Sequence, residues 1–339
     1  LIVTNPENAR DVPGARVFAA AHPVPDAVGL AAAEAVEAVL ASAEREVLAL
    51  ISGGGSALLP APAAGLTLED KAAVSALLLA SGAEITEMNL VRQSLSRLKG
   101  GGMLRAAAPA RVRALIVSDV IGDDLRAIAS GPTVAPLGSR SEARALCKQY
   151  GIWDRLPEAV QAHLAKSETA ADLPEATNVL VGSNTQSLKA MATAARDAGA
   201  PVHIHTPALV GDVEDAARRV AGTVDAGIHL FGGETTVRLQ GTGKGGRNQE
   251  LALRVALHLE RSRRPWVYLQ GGTDGRDGPT DAAGGLMDAE RLNTMRRKVD
   301  VEAGLADNDA YTLLKAGDAL LMTGGTGTNV ADLGVLILG

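Results

Sequence analysis

The segment Gly241-Thr-Gly-Lys-Gly-Gly-Arg-Asn-Gln-Glu250 packs four glycines and two cations into ten residues, directly before an amphipathic helical pattern. Glycine lets a backbone approach a bulky anion, and N–H groups at a helix start can hold one. Lys244, Gly245, Gly246 and Arg247 are therefore candidates for binding a phosphorylated ligand.

Other polar segments carry comparable chemistry. Ser52-Gly53-Gly54-Gly55-Ser56 follows an apolar run and could offer N–H groups and hydroxyls to an anion, as a backbone nest does. A tight turn that needs glycine would leave the same sequence. Arg92, Ser96 and Lys99 recur at spacings of four and three, placing them on one face of a predicted helix that ends in Gly100–Gly102. A solvated face with a glycine C-cap is the competing reading.

Asp119 follows an apolar run, and a carboxylate there is costly unless it is hydrogen-bonded or binds a ligand. It is a candidate base or metal ligand. Asp123 and Asp124 could equally be helix N-caps, and Asp124 is read as one. Thr273 and Asp274 sit in a turn-rich segment with Asp277 and Asp281, whose spacing departs from an EF-hand loop. His22, in the proline-stiffened segment Ala21–Asp26, is read as a packing residue.

Two common fingerprints nearly match the opening segment. Gly241-x-Gly243-x-x-Gly246 fits the dinucleotide expression, but Thr235–Gln240 alternates and reads as an edge or antiparallel strand. Arg247 stands where a Walker A motif has lysine.

The elements that must position these residues are legible as alternating runs. Val47–Ile51, Ala114–Val117, Val179–Val181, Ile228–Phe231 and Trp266–Leu269 predict strands buried on both faces, as in parallel sheets. Helical periodicity covers Val28–Leu40, Leu68–Ser81, Ser141–Tyr150, Thr185–Ala198, Val213–Val224 and Asn248–Glu260. The pattern is α/β, with ligands expected beyond the strand ends, where Ser52, Asp119, Asn184 and Thr273 all lie. Pro157–Pro174 has the weakest pattern and is read as a boundary or connector.

At 339 residues the chain can hold two domains. Its net charge of -6 and 2% aromatic content argue against nucleic-acid binding, and its apolar runs are too short to span a bilayer. The single Cys147 fits a reducing cytoplasm. The chain opens on Leu1 inside an apolar run, from which an absent upstream segment is expected.

Taken together the motifs resemble those of the glycerate 2-kinase family with a MOFRL domain, long described as hydroxypyruvate reductases. The N-terminal part carries Ser52–Leu58, Asn89-x-x-Arg92 through Lys99-Gly-Gly101, Ser118–Asp124 and Ala129–Thr133. The C-terminal part carries Gly232–Thr236, Gly243–Glu250, Gly272–Gly275 with Asp277–Gly284, Asn308-Asp309 and Thr326–Asn329. The resemblance runs through essentially the whole chain, in order.

It implies two three-layer α/β/α domains with an interdomain cleft: residues 1–170, a connecting segment 171–225, and a MOFRL-type domain 226–339. It implies ATP-dependent phosphorylation of D-glycerate on its 2-hydroxyl, with Mg²⁺ or another divalent cation. Asp119 and Arg247 would be catalytic. Ser52–Ser56, Arg92, Lys99, Asn184, Lys244–Gly246, Thr273, Asp274 and Asn329 would bind substrate or nucleotide, and Asp119 and Asp274 are metal candidates. The family's usual Gly-Lys-Ala motif, whose lysine is thought catalytic, would lie upstream of Leu1. Small-molecule partners are implied, with no nucleic acid and no membrane, and a homodimer is compatible. An NAD(P)H-dependent hydroxypyruvate reductase and a non-catalytic phosphometabolite-binding protein are the alternatives.

Overall fold

Thr67 and Asp70 cap each other's backbone N–H groups and start a helix that runs Leu68–Ser81, as its periodicity predicts. Such local rules place most elements of this computed structural model, which describes residues 1–167, 172–206 and 208–339. The chain divides into two compact units, Leu1–Val117 with Asp123–Val181, and Ser118–Gly122 with Gly182–Gly339. The connecting segment 171–225 is thus shared between units, split after Val181.

Unit 1 contains, in order, β1 (Ile2–Thr4), β2 (Val17–Ala19), α1 (Ala27–Ala41), β3 (Glu46–Ile51), α2 (Gly55–Leu58), α3 (Leu68–Ser81), α4 (Ile85–Ser94), α5 (Gly102–Ala107), β4 (Arg111–Val117), α6 (Arg140–Gln149), α7 (Glu158–Ala165) and β5 (Ala176–Gly182). β3 and β4 pair in parallel, and β5 completes the order β3-β4-β5. A helical core packs Val74, Leu78, Val91, Leu95, Cys147 and Val160.

Three expectations change here. Leu48 and Leu50 on β3 are 60% and 75% exposed, so this strand is not buried on both faces. A continuous apolar run permits burial on two faces but does not supply the second layer. Secondly, α4 stops at Ser94, so Arg92 and Lys99 do not share a helix. The following residues lie against Pro60–Ala63 instead: Arg97 N–H donates to Ala61 O, Ala63 N–H donates to Leu95 O, and Ser96 bridges Pro62. Gly101 then caps the start of α5 instead of ending α4. Thirdly, Pro157–Pro174, read as a connector, carries α7, while residues 168–171 of that stretch lie outside the described residues.

Unit 2 contains α8 (Asn184–Asp197), β6 (Val202–Ile204), β7 (Leu209–Asp212), α9 (Val213–Ala221), β8 (Gly227–Thr236), α10 (Arg247–Leu259), β9 (Trp266–Gly272), β10 (Gly284–Asp288), α11 (Ala289–Arg296), α12 (Val301–Ala306), α13 (Ala310–Ala316), β11 (Leu320–Leu321) and β12 (Asp332–Leu338). Its sheet has the order β11-β10-β9-β12-β8-β6, with β7 also on β8. It is mixed: β6 and β7 run parallel to β8, whereas β12 is antiparallel to both β8 and β9.

This corrects the parallel reading for the C-terminal half. β8 is also longer than its apolar run, and Thr235 and Thr236 pair with Gly211 and Asp212 of β7. Their pairing is parallel and on one side only, since β12 reaches β8 no further than Gly233, and residues 237–240 lie beyond the strand. Apolarity reports burial and is silent about strand direction, which only the partner strand sets. Phe231 joins the core of α9 and α10, while its neighbour Leu230 packs with Leu188 and Ala192 of α8. Successive residues of a strand face opposite sides, so this sheet carries helices on both faces. No helix among the described residues is long and apolar enough to cross a membrane.

Candidate active site

Arg247 is the first residue of α10, and its guanidinium is the centre of a charged cluster in unit 2. Nε donates to Asp332 Oδ2 at 2.6 Å, Nη2 to Asp332 Oδ1 at 3.1 Å, and Nη1 to Glu234 Oε1 at 2.9 Å. The Asp332 side chain is 3% exposed, and the fork-on-fork geometry is the strong form of this pair. Burial works against the charge on Arg247, but Asp332 and Glu234 outweigh it and hold the guanidinium ionised.

Sheet register explains how a distant carboxylate reaches this place. Asp332 opens β12 opposite Gly233 of β8 and Gly272 of β9, at the C-terminal ends of both strands. Burial raises the Glu234 carboxyl above its usual range; Arg247 opposes that rise, and the charges of Asp332 and Asp119 add to it. Asp119 thus acts electrostatically on the same cluster. Its neighbour Ser118 donates N–H to Gly182 O, two residues before α8.

Several predicted ligand residues hold this cluster in place. Asn184 Nδ2 donates to Val330 O and Asp332 O, both at 2.9 Å, and so fixes the start of β12. Thr273 Oγ1 donates to Ala331 O at 2.7 Å and accepts from Val330 N–H at 2.8 Å. Asn329 Oδ1 accepts from Ala331 N–H at 3.0 Å. Asp274 Oδ1 accepts the Arg276 N–H at 3.0 Å.

The glycine-rich loop is held against an acidic turn. Gly241 N–H and Gln240 N–H donate to Asn308 Oδ1, Thr242 N–H to Asp307 Oδ1, and Lys244 N–H to Asp309 Oδ1. A Cβ on Gly241 or Gly243 would collide with Asp307 or Asp309, and one on Gly246 with the Asp277 carboxyl. The glycines let the loop lie against this acidic turn. Lys244 Nζ sits 4.6 Å from the Tyr311 ring centroid. Asn248 and Gln249 are buried, their N–H groups donating to Asp277, which caps α10 at 3.1 and 2.8 Å.

Unit 1 gathers a second set. Gly54, in a left-handed conformation at φ 81°, opens α2. Lys99 Nζ donates to Ser56 Oγ at 2.7 Å, and Ser56 and Ser130 hydroxyls meet at 2.9 Å. Ser52 is exposed, with Gly53 and Gly55 beside it lining an apolar-walled cavity of about 260 Å³ that Lys99 also borders. Arg92 is half-buried on α4. Asp124 caps a turn through the Arg126 N–H at 2.9 Å.

Sequence reasoning singled out neither Glu234, Asp332 nor Lys71. Glu234 lies in the quoted Gly232–Thr236 segment, so a polar residue in a glycine-rich strand end was the available signal. Lys71 sits in a helix that reads as an ordinary amphipathic one.

Comparison with known proteins places these groups in context. A domain family described as a domain of unknown function, DUF4147, matches residues 1–165, and the MOFRL family matches 227–332. A glycerate 2-kinase of Pyrococcus horikoshii is 39% identical, over 95% of this chain and 78% of its own length. A provisionally named hydroxypyruvate reductase of Agrobacterium vitis is 41% identical, over 100% of this chain and 81% of its own. The crystal structure of a Thermotoga maritima glycerate kinase superposes with a TM-score of 0.92 at 35% identity, covering 100% of this chain and 84% of that one.

Proposed function

Since this chain belongs to the glycerate kinase family, we propose that it is a glycerate 2-kinase, transferring the γ-phosphoryl group of ATP to the 2-hydroxyl of D-glycerate. The observation that carries this reading is the fixed guanidinium of Arg247 with two carboxylates, Glu234 and Asp119, acting beside it. Phosphoryl transfer asks for positioning and charge stabilisation more than for covalent chemistry.

Asp332 aligns Arg247 and keeps it from rotating, so the guanidinium stands ready for negative charge on the transferring group. Asp119 orients the 2-hydroxyl and takes its proton as the oxygen–phosphorus bond forms. The bond from the γ-phosphorus to the bridging oxygen breaks, and that electron pair leaves with ADP. Ser52–Ser56, Arg92 and Lys99 of unit 1 supply contacts for anionic groups.

A divalent cation such as Mg²⁺ fits the donor chemistry of unit 2. Asp119 and Glu234 would offer carboxylate oxygens, and one or two carboxylates plus phosphate oxygens are a usual Mg²⁺ set, although the described residues hold no cluster of three such side chains placed for a metal. When bound it would neutralise phosphate charge.

The test is ADP formation from ATP, Mg²⁺ and D-glycerate by the full-length chain, with ³¹P NMR to locate the new phosphoester. Absence of D-glycerate-dependent ADP would overturn the proposal. The name of the Agrobacterium relative makes a parallel assay with NADH and hydroxypyruvate worthwhile. No NADH oxidation is expected, because the loop glycines serve internal packing.

A further inference from the structure

Three cations of unit 1, Lys71, Arg97 and Lys99, bond to groups within the segment from Ser56 to Pro62, and one of them has a carboxylate partner. Arg97 is that one: Nε and Nη2 donate to the two Glu37 oxygens at 2.7 Å each, and Nη1 donates to Pro62 O. Lys71 on α3 donates Nζ to Pro60 O, a carbonyl that Ser96 Oγ also uses at 3.3 Å. Lys99 is 6% exposed and donates to the Ser56 hydroxyl. Arg92 projects its charge on both lysines. Among the described residues no carboxylate forms an ion pair with Lys71, Arg92 or Lys99.

The hydroxyls beside them are held at a conformational cost. Ala129 and Ser130 are consecutive non-glycine residues at φ 49° and 62°, in the sparsely populated left-handed region. Gln93 Nε2 at 3.1 Å and Gly100 N–H at 3.0 Å both donate to Ser130 O and hold the turn there. The result is that Ser130 Oγ meets Ser56 Oγ, which in turn accepts from Lys99.

Carbonyls and hydroxyls cannot neutralise three half-buried or buried cations, and leaving such charges uncompensated is expensive. A carboxylate would offset one of them. A phosphoryl dianion offsets two and brings three acceptor oxygens. We propose that Lys71, Arg92 and Lys99, with the Ser56 and Ser130 hydroxyls, form a binding site for a phosphoryl dianion. It rests on the kinase reading only for which compound carries that group, the nucleotide or the phosphorylated product.

The charge states agree with that geometry. Burial first, then Arg97 and Arg92, lower the Lys71 ammonium to about 7; burial first, then Lys71 and Arg92, take Lys99 well below its ordinary value. Of the carboxylates that act on Arg97, Glu37 is bonded to it and Glu34 adds its charge from nearby. A bound dianion reverses these shifts, so binding near pH 7 takes up protons.

The experiment is titration calorimetry in buffers of different ionisation enthalpy, with thermal melting, using inorganic phosphate, ADP and 2-phosphoglycerate in turn. Wild type should bind with proton uptake and melt higher with ligand. Lys71→Met and Arg92→Gln should each weaken binding about tenfold or more, the range of a lost charge-assisted hydrogen bond. Lys99→Met should lose binding too, yet melt no lower than wild type without ligand, since a desolvated cation has been removed. A wild type indifferent to all three probes, or affinity retained in Lys71→Met and Arg92→Gln, overturns the site. Preference for ADP assigns it to the nucleotide and preference for 2-phosphoglycerate to the product; either supports it. Should ADP formation fail while phosphate binding and its loss in the variants persist, the kinase reading falls and this site stands.

Discussion

Arg247 and Asp332 grip each other through two parallel hydrogen bonds, at 2.6 and 3.1 Å, across 85 positions of sequence. The carboxylate is buried while the guanidinium is 36% exposed, so one end is anchored and the other remains available. An arginine held in this way is rigid without being sealed in.

Arg247→Lys keeps the charge but loses the fork, because an ammonium cannot make two in-plane bonds to one carboxylate. We expect kcat for D-glycerate to fall by about 10²-fold or more, with a smaller change in KM. Steady-state kinetics on the purified variant checks this; an unchanged kcat would remove Arg247 from the chemistry.

Asp332→Ala leaves the guanidinium with Glu234 alone. Arg247 is partly solvated, so the cost in stability should be about 1–3 kcal/mol, below that of breaking a fully buried pair. Urea denaturation measures it. Activity should fall as in Arg247→Lys, because the guanidinium loses its alignment.

Gly246→Ala separates two roles for the glycine-rich loop. Its Cβ would land in the Asp277 carboxyl that caps α10. If the glycine serves that packing, stability drops by about 2–4 kcal/mol, combining a lost cap with overpacking. A variant that melts normally but has a raised KM for ATP would restore the anion-cradle role.

His205 and His229 should make unit 2 acid-sensitive. His205 Nε2 and His229 Nδ1 lie 3.0 Å apart, and His229 Nε2 lies 3.0 Å from Asp225 O, an arrangement for neutral rings. Burial first lowers both below the ordinary 6.5; His203 adds to this in each ring, the two rings repel if charged, and for His229 the contact with Asp225 opposes the fall. With folded values lowered, the unfolded chain binds more protons, so stability is lost as pH falls below about 6.5. Denaturation midpoints between about pH 7 and 5 should decline in wild type and decline less in His229→Gln. Equal slopes would rule the pair out as the cause.

Much of the fold was readable from local pattern. Leu68–Ser81 was marked by its helical periodicity, and the helix that runs Arg247–Leu259 was read one residue late, as Asn248–Glu260. Arg247 and Asp119 stood out as candidates because a cation at a helix start and a carboxylate after a strand are unusual residues in usual places. The shared helical face proposed for Arg92 and Lys99 does not exist, since α4 ends before Lys99 and extended pairing with Pro60–Ala63 brings that lysine to Ser56. Asn184 and Thr273 were selected as ligand contacts, and the structure has them tying down the start of β12.

The sequence by itself determined the course of six helices and five strands, that the class is α/β, and which family's motifs recur along the chain. Those are short-range properties, set by periodicity, capping and turn chemistry within a few residues. The tertiary structure decided strand direction and partnership, and with them the site. Only antiparallel pairing of β12 beside β8 and β9 carries Asp332 to Arg247. Likewise, only the packing of unit 1 shows that Lys71, Arg92 and Lys99 share their surroundings, since Coulomb coupling depends on separation in space and leaves no period in the chain.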